Sequence, residues 1–182
     1  MVPAGRPVDN VLDALLPLLS KGDVVVDHGN SHADDTERRQ ATTAAVGVHF
    51  VGCGTSGGEQ GARVGPCLMP GGSFEAWKVL QPVLEPAAAV VKGPPGATPH
   101  PGRRDDLCVA YVGGGGSGHY VKMVHNGIEY GDMQLIAEAA DFCHTAARLS
   151  PSKIADFFDG FADGPLSRHA LEQLMSRLMN SW

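Results

Sequence analysis

The chain is short of positive charge, of paired cysteines and of long apolar runs, and each shortage removes a class of function. It carries 14 Lys and Arg against 20 Asp and Glu, a formal net charge of -6. A general affinity for nucleic acid or for an anionic membrane surface is therefore not expected. Its longest apolar runs, such as Ala87 to Val91, fall far short of the ~20 residues that span a bilayer. No transmembrane helix is expected. Met1 to Asp9 offers neither a basic leader nor an apolar core of the secretory kind, so no signal peptide is expected there. The four cysteines, Cys53, Cys67, Cys108 and Cys143, contain no C-x-x-C pair and no regular spacing. They fit a reducing compartment, hence a cytoplasmic location, and neither a disulfide scaffold nor a zinc site.

What is present is enough apolar material for a core. With 43% hydrophobic residues over 182 positions, the chain can form one compact domain, or one domain and part of a second. Between Val8 and Leu19 the residues Val11, Leu12, Leu15, Leu16 and Leu19 recur at three- and four-residue steps, which predicts an amphipathic helix closed by Lys21-Gly22. The β-branched run Val24-Val25-Val26 predicts a strand ending at Asp27. Gly29-Asn30-Ser31 then turns into a polar helix from about Asp34 to Val46, and Val48 to Val51 predicts a second strand running into a glycine-rich loop, Gly52 to Gly58. Helices alternating with short, continuously apolar strands predict a Rossmann-like parallel sheet buried on both faces. Ligands of such sheets bind beyond the carboxyl ends of the strands, where both glycine-containing segments would sit.

The same grammar continues with a helix near Ser73 to Leu84, an apolar stretch at Ala87 to Val91 and a strand near Cys108 to Val112. The proline and glycine density from Gly93 to Arg104 predicts a surface loop. From Ser117 to Leu149 proline is absent, which predicts one long helix stopped at Ser150-Pro151. Shorter helices are expected near Pro151 to Phe158 and Leu166 to Met179. The change to helix alone sets an expected domain boundary: residues 1–115 as part of an α/β domain and 116–182 as the start of an all-helical one.

Two segments match G-x-G-x-x-G, Gly52 to Gly57 and Gly113 to Gly118. Neither opens a βαβ unit with an acidic residue suitably placed downstream, and 24 glycines make chance matches common, so tight backbone turns are the favoured explanation. A third explanation for Ser56-Gly57-Gly58 is a set of bare amides and a hydroxyl offered to an anionic or polyhydroxy ligand. His28 and His32 stand four apart, but the intervening Gly29 argues against a helix. Ser31 or Asp34 is read as a helix N-cap rather than part of a metal site, and no metal is expected. Arg38-Arg39 and Arg103-Arg104 are read as surface charge.

The richest stretch is Lys122 to Asp132. On a helix, Lys122, His125, Asn126, Glu129 and Tyr130 share one face, while Val121, Val124, Ile128 and Leu135 form a separate stripe that could carry the packing. A solvated face of ion pairs usually repeats Lys and Glu, whereas His, Asn and Tyr together suit a cleft. A lysine withdrawn from water can take a proton from a hydroxyl, and a glutamic acid further along the face can return one to carbon.

These residues resemble the 6-phosphogluconate dehydrogenase (decarboxylating) family. The matching segments are Gly29-Asn30-Ser31 with Asp35-Thr36 and Arg38-Arg39, Ser56-Gly57-Gly58-Glu59 with Gly61-Ala62-Arg63, Leu68-Met69-Pro70-Gly71-Gly72, and Gly118 to Ile136. The order and spacing agree from about Val2 to Leu166. The resemblance implies NADP-linked oxidation of 6-phosphogluconate, loss of CO2 and formation of ribulose 5-phosphate in the pentose phosphate pathway. It implies Lys122 as general base and Glu129 as general acid, with Asn30, Ser56, Gly57, Gly58, His125, Asn126 and Tyr130 as substrate contacts. Val2, Ala4 and Asn30 would contact NADP, and a homodimer is implied.

Because the likeness begins after the family's first βαβ units, a partial dinucleotide-binding domain is expected. Departures from the family pattern are Pro3, His28, Ala33, the Pro94 to Arg104 insertion and Phe161-Ala162. Two alternatives stand beside this one: another β-hydroxyacid dehydrogenase, and a non-catalytic chain acting as an interaction subunit.

Overall fold

A computed structural model of the chain describes residues 1–90 and 107–160. The stretch from Gly93 to Arg104, Phe161-Ala162 and the helix expected near Leu166 to Met179 lie outside the described residues. Two compact units are distinguished, Met1–Val124 and His125–Trp182.

The first unit is α/β. Helix α1 (Arg6–Leu15) continues into a short 3-10 turn, Leu16–Leu18. Its buried residues, Val8 and Leu12, pack with Phe50 in one apolar cluster. Strand β1 (Val24–Asp27) follows, then α2 (Ala33–Ala44), β2 (His49–Ser56), α3 (Gly58–Val64), β3 (Cys67–Gly71) and α4 (Phe74–Ala87). β1 pairs parallel with β2, Val24 against His49 and Asp27 against Gly52. β3 pairs antiparallel with β2, Gly52 against Gly71 and Ser56 against Cys67. The sheet is thus mixed, where a purely parallel one is predicted from the alternation of elements.

Beyond β3 the segment 107–113 runs parallel to it, with Leu68 bridged to Val109 and Gly71 to Gly113. The core on this side of the unit gathers Val51, Cys53, Leu68, Ala76, Leu80, Leu84 and Ala88. Burial of each large apolar side chain contributes ~1.5–3 kcal/mol.

Helix α5 (Ser117–Thr145) starts in the first unit and continues into the second. In the second unit it precedes α6 (Pro151–Asp159), with Pro151 in the first turn, where its missing N–H costs nothing. Ile136, Ala140, Ile154 and Phe158 form the core there, flanked by Ala137, Cys143 and Leu149.

Three expectations need correction. The glycine-rich stretch Gly52 to Ser56 is strand rather than loop, because Gly52 makes room for the His119 and Thr36 side chains and Gly54 for Gly118 and Lys122, and neither is needed for a turn. The stripe Val121, Val124, Ile128 and Leu135 does not carry the packing: these residues are exposed, Ile128 at 64% and Leu135 at 66%. Gly118, His119 and Lys122 are buried in the first unit instead, and Ile136 and Ala140 in the second. Arg39 is not surface charge. It is 1% exposed, its guanidinium donating to Asp9 Oδ1 at 2.8 Å, Gly5 O at 3.0 Å and Ser31 Oγ at 3.3 Å.

Candidate functional site

The site grows from the way α5 meets the sheet. Gly52, Gly54 and Gly71 leave a side-chain-free strip on β2 and β3, and Gly118 of α5 lies against it. A Cβ on Gly54 would fall 2.6 Å from Gly118 O and 2.6 Å from Lys122 Cβ. Such a separation is unavailable to real atoms, so only glycine lets the helix approach this closely. The matches to G-x-G-x-x-G therefore serve helix-on-sheet contact, and a bound pyrophosphate has no room between Gly52, Gly54 and the helix.

Packed on that strip, Lys122 is buried at 8% exposure, and its Nζ donates to Ser56 Oγ at 3.5 Å. Ser56 ends β2. Gly57 follows with φ 128° and Gly58 with φ 56°, so the chain turns sharply into α3 through conformations that favour glycine.

Ser56 and Gly58 share a cleft of about 710 Å³ with Met1, Val2, Pro3, Ala4, His28, Gly29, Asn30 and Thr55. The cleft lies at the carboxyl ends of β1 and β2. Its other wall is apolar, with Leu68, Val83 and Leu84 among its residues.

The turn carrying Asn30 is held by its neighbours. Asp27 at the end of β1 accepts from Gly29 N at 2.8 Å through Oδ1 and from Ser31 Oγ at 2.5 Å through Oδ2. Ser31 is therefore spent on this turn, and His32 is the N-cap of α2, its Nδ1 accepting from Asp34 N at 3.3 Å. His28 turns the other way, its Nδ1 pairing with Thr55 Oγ1 at 3.0 Å. His28 and His32 thus serve separate partners.

His119 links α5 to the same turn. Its Nε2 lies 3.1 Å from Asp27 O and its Nδ1 2.6 Å from Thr36 Oγ1. A carbonyl can only accept, so Nε2 carries the proton, and the single Thr36 hydroxyl hydrogen is shared between His119 Nδ1 and His32 O, the latter at 3.0 Å. Burial pushes His119 below its ordinary value, in keeping with a neutral ring. Burial does the same at His28. His119 lacks any family role in the sequence reading. A lone histidine one helical turn before a lysine gave no signal beyond its place on the inner side of α5.

In the second unit, His125 Nδ1 and Glu129 Oε2 stand 3.7 Å apart, the two side chains 46% and 30% exposed. Asn126 is half-buried and Tyr130 exposed. Along the continuous α5, the steps between Lys122, His125, Asn126, Glu129 and Tyr130 keep these residues on one side of the helix. In the first unit the structure brings together Ser56, Gly58, Asn30, Val2 and Ala4 around one cleft, and Lys122, not itself a lining residue, is tied to it through Ser56.

A cleft at the carboxyl ends of the strands is where α/β units of this kind take their ligands. Residues 1–113 match the family model described as the NAD binding domain of 6-phosphogluconate dehydrogenase, and residues 118–176 match the C-terminal domain of the same enzyme. The chain belongs to the 6-phosphogluconate dehydrogenase family.

Among its relatives, the decarboxylating 6-phosphogluconate dehydrogenase of Bacillus licheniformis is 48% identical over 172 residues, which is 94% of this chain and 34% of that protein. The Synechocystis enzyme of the same name is 52% identical over 158 residues, 87% of this chain and 31% of that protein. The chain thus spans about a third of the length of these relatives. Plasmodium falciparum 6-phosphogluconate dehydrogenase, solved in its apo form and with NADP+ and 6-phosphogluconate, superposes with a TM-score of 0.77 at 38% identity, covering 90% of this chain and 32% of that one. The fold also resembles 3-hydroxyisobutyrate dehydrogenase from Salmonella typhimurium, with a TM-score of 0.72 at 20% identity over 99% of this chain and 55% of that one. No helix among the described residues is long and apolar enough to cross a membrane.

Proposed function

We propose that the chain carries the substrate side of an oxidative decarboxylation of 6-phosphogluconate to ribulose 5-phosphate and CO2. The observation that carries this reading is the buried Lys122 amino group beside Ser56, a residue that lines the strand-end cleft. A sugar acid offers hydroxyls to both groups. Lys122, in its neutral amine form, would take the proton of the 3-hydroxyl as general base, and Ser56, Gly57, Gly58 and Asn30 would orient the remaining hydroxyls and carboxylate. NADP, when bound, supplies the hydride acceptor. Val2, Ala4 and Asn30, which line the cleft, fit contacts to its reactive end.

After loss of CO2 the enediol carbon needs a proton, and Glu129 on the same side of α5 would give it. His125 and Asn126 would steady the substrate, with Tyr130 towards its phosphate. The domain boundary at residues 115 and 116 follows the same reading and is supported by the two family matches, which end at 113 and start at 118. A homodimer in the cytoplasm completes it, the four free cysteines supporting a reducing compartment.

NADPH formation should be followed with 6-phosphogluconate and, in parallel, with 3-hydroxyisobutyrate. Formation that needs 6-phosphogluconate and disappears in Lys122→Ala is expected. Formation with 3-hydroxyisobutyrate alone would overturn the substrate, and formation untouched by Lys122→Ala would overturn the base.

A further inference from the structure

Two of the four cysteines are neighbours across the sheet. Cys67 opens β3, and Cys108 lies in the parallel segment beside it. Leu68 N–H donates to Cys108 O at 2.8 Å and Ala110 N–H to Leu68 O at 3.3 Å, which fixes Leu68 opposite Val109. One step back in this register sets Cys67 opposite Cys108. Paired strands lie about 4.8 Å apart with opposed side chains on the same face, inside the roughly 4.4–6.8 Å Cα range that a disulfide spans. Both residues are partly exposed, whereas Cys53 is fully buried and Cys143 belongs to the second unit.

We propose that Cys67 and Cys108 are an oxidant-sensitive dithiol, a modification site at which a small peroxide converts two thiols into a cross-strand disulfide. The Cys108 sulfur attacks one peroxide oxygen; an S–O bond forms, the O–O bond breaks, and the departing hydroxide leaves as water with the thiol proton. The resulting sulfenic acid is attacked at sulfur by Cys67. The S–S bond forms, the S–O bond breaks, and the hydroxyl leaves as a second water with the Cys67 proton. Two electrons pass from the two sulfurs to the peroxide. Burial, with the Cys108 sulfur beside it, pushes the Cys67 thiol up to about 12, so Cys67 keeps its proton until the sulfenic acid has formed.

The position gives the modification a reader. Cys67 is the cross-strand partner of Ser56, and the Lys122 charge is felt at its sulfur. In a reducing compartment such a pair stays as thiols until oxidant rises.

The test is peptide mapping without reductant after brief exposure of the purified chain to hydrogen peroxide. Trypsin separates Cys53 from Cys67 at Arg63 and Cys67 from Cys108 at Lys78. The expected product is a Cys67–Cys108 linked pair of peptides, lighter by two hydrogens than their sum and lost on dithiothreitol treatment, with Cys53 and Cys143 recovered as thiols. In Cys67→Ser, Cys108 should accumulate as a sulfenic acid captured by dimedone. Cys67 and Cys108 recovered unlinked from the wild-type chain, or linked instead to Cys53 or to a second chain, would overturn the proposal.

Discussion

Gly54 and Lys122 occupy adjoining space with no tolerance for one more carbon: a Cβ at position 54 would lie 2.6 Å from the Lys122 Cβ. The placement of the buried ammonium therefore depends on a glycine in the neighbouring strand. Gly54→Ala should force α5 outward, at a cost of ~1–3 kcal/mol from overpacking, and should separate Lys122 from Ser56. Chemical denaturation measures the first effect and loss of 6-phosphogluconate binding the second. A variant as stable as the parent, with ligand binding intact, would show that the helix does not need this strip.

The buried histidines make stability fall on the acid side of neutrality. His119 and His28 are both held below the ordinary value of 6.5 by burial, so the unfolded chain takes up protons more readily than the folded one. Their stabilising effect is fully present above about 6.5. It drains away as pH falls from there through the depressed folded-state values. The thermal midpoint should drop between pH 7.5 and pH 5.5, and the drop should shrink in His119→Asn even though that variant is less stable throughout. A slope left unchanged when both histidines are replaced would contradict the assignment.

Arg39 ties three elements of the first unit through Asp9 on α1, Gly5 O ahead of it and Ser31 in the turn after β1. Its partner Asp9 is held below its usual value of 3.8, first of all by the hydrogen bond from Arg39. Arg39→Met should cost about 2–4 kcal/mol, because a buried charged network loses its centre. Arg39→Lys should recover little of it, since one ammonium cannot serve three separated acceptors in the plane of a guanidinium. Urea denaturation of the two variants measures both effects; full recovery by lysine would contradict this geometry.

Much of this arrangement is legible in the residues themselves. The three- and four-residue steps from Val11 to Leu19, the run Val24-Val25-Val26 and the proline-free length after Ser117 each give an element at its observed place, because local periodicity and backbone chemistry decide them. The helical steps from Lys122 to Tyr130 likewise put the candidate polar groups on one side of α5. What stays hidden is tertiary. Gly52 and Gly54 look like loop residues until α5 is seen lying on them. β3, with Pro70 and Gly71 in a five-residue strand, has the composition of a turn and becomes a strand only by pairing: Pro70 serves as acceptor alone, its carbonyl receiving Val112 N–H at 3.0 Å. Arg39 looks like half of a surface pair because the acceptors around it come from distant positions. His119 gives no signal for the same reason, its partners Asp27 and Thr36 being far away in sequence.

The most direct measurement is a calorimetric titration of 6-phosphogluconate into the wild-type chain and into Lys122→Ala under identical salt and pH. Loss of a charged, partly desolvated hydrogen bond is worth ~1.5–3 kcal/mol, so saturable binding by the wild type and an affinity at least about tenfold weaker in the variant are expected. Equal affinity in the two proteins, or no saturable heat from the wild type, would contradict the assignment of this cleft to a phosphorylated sugar acid.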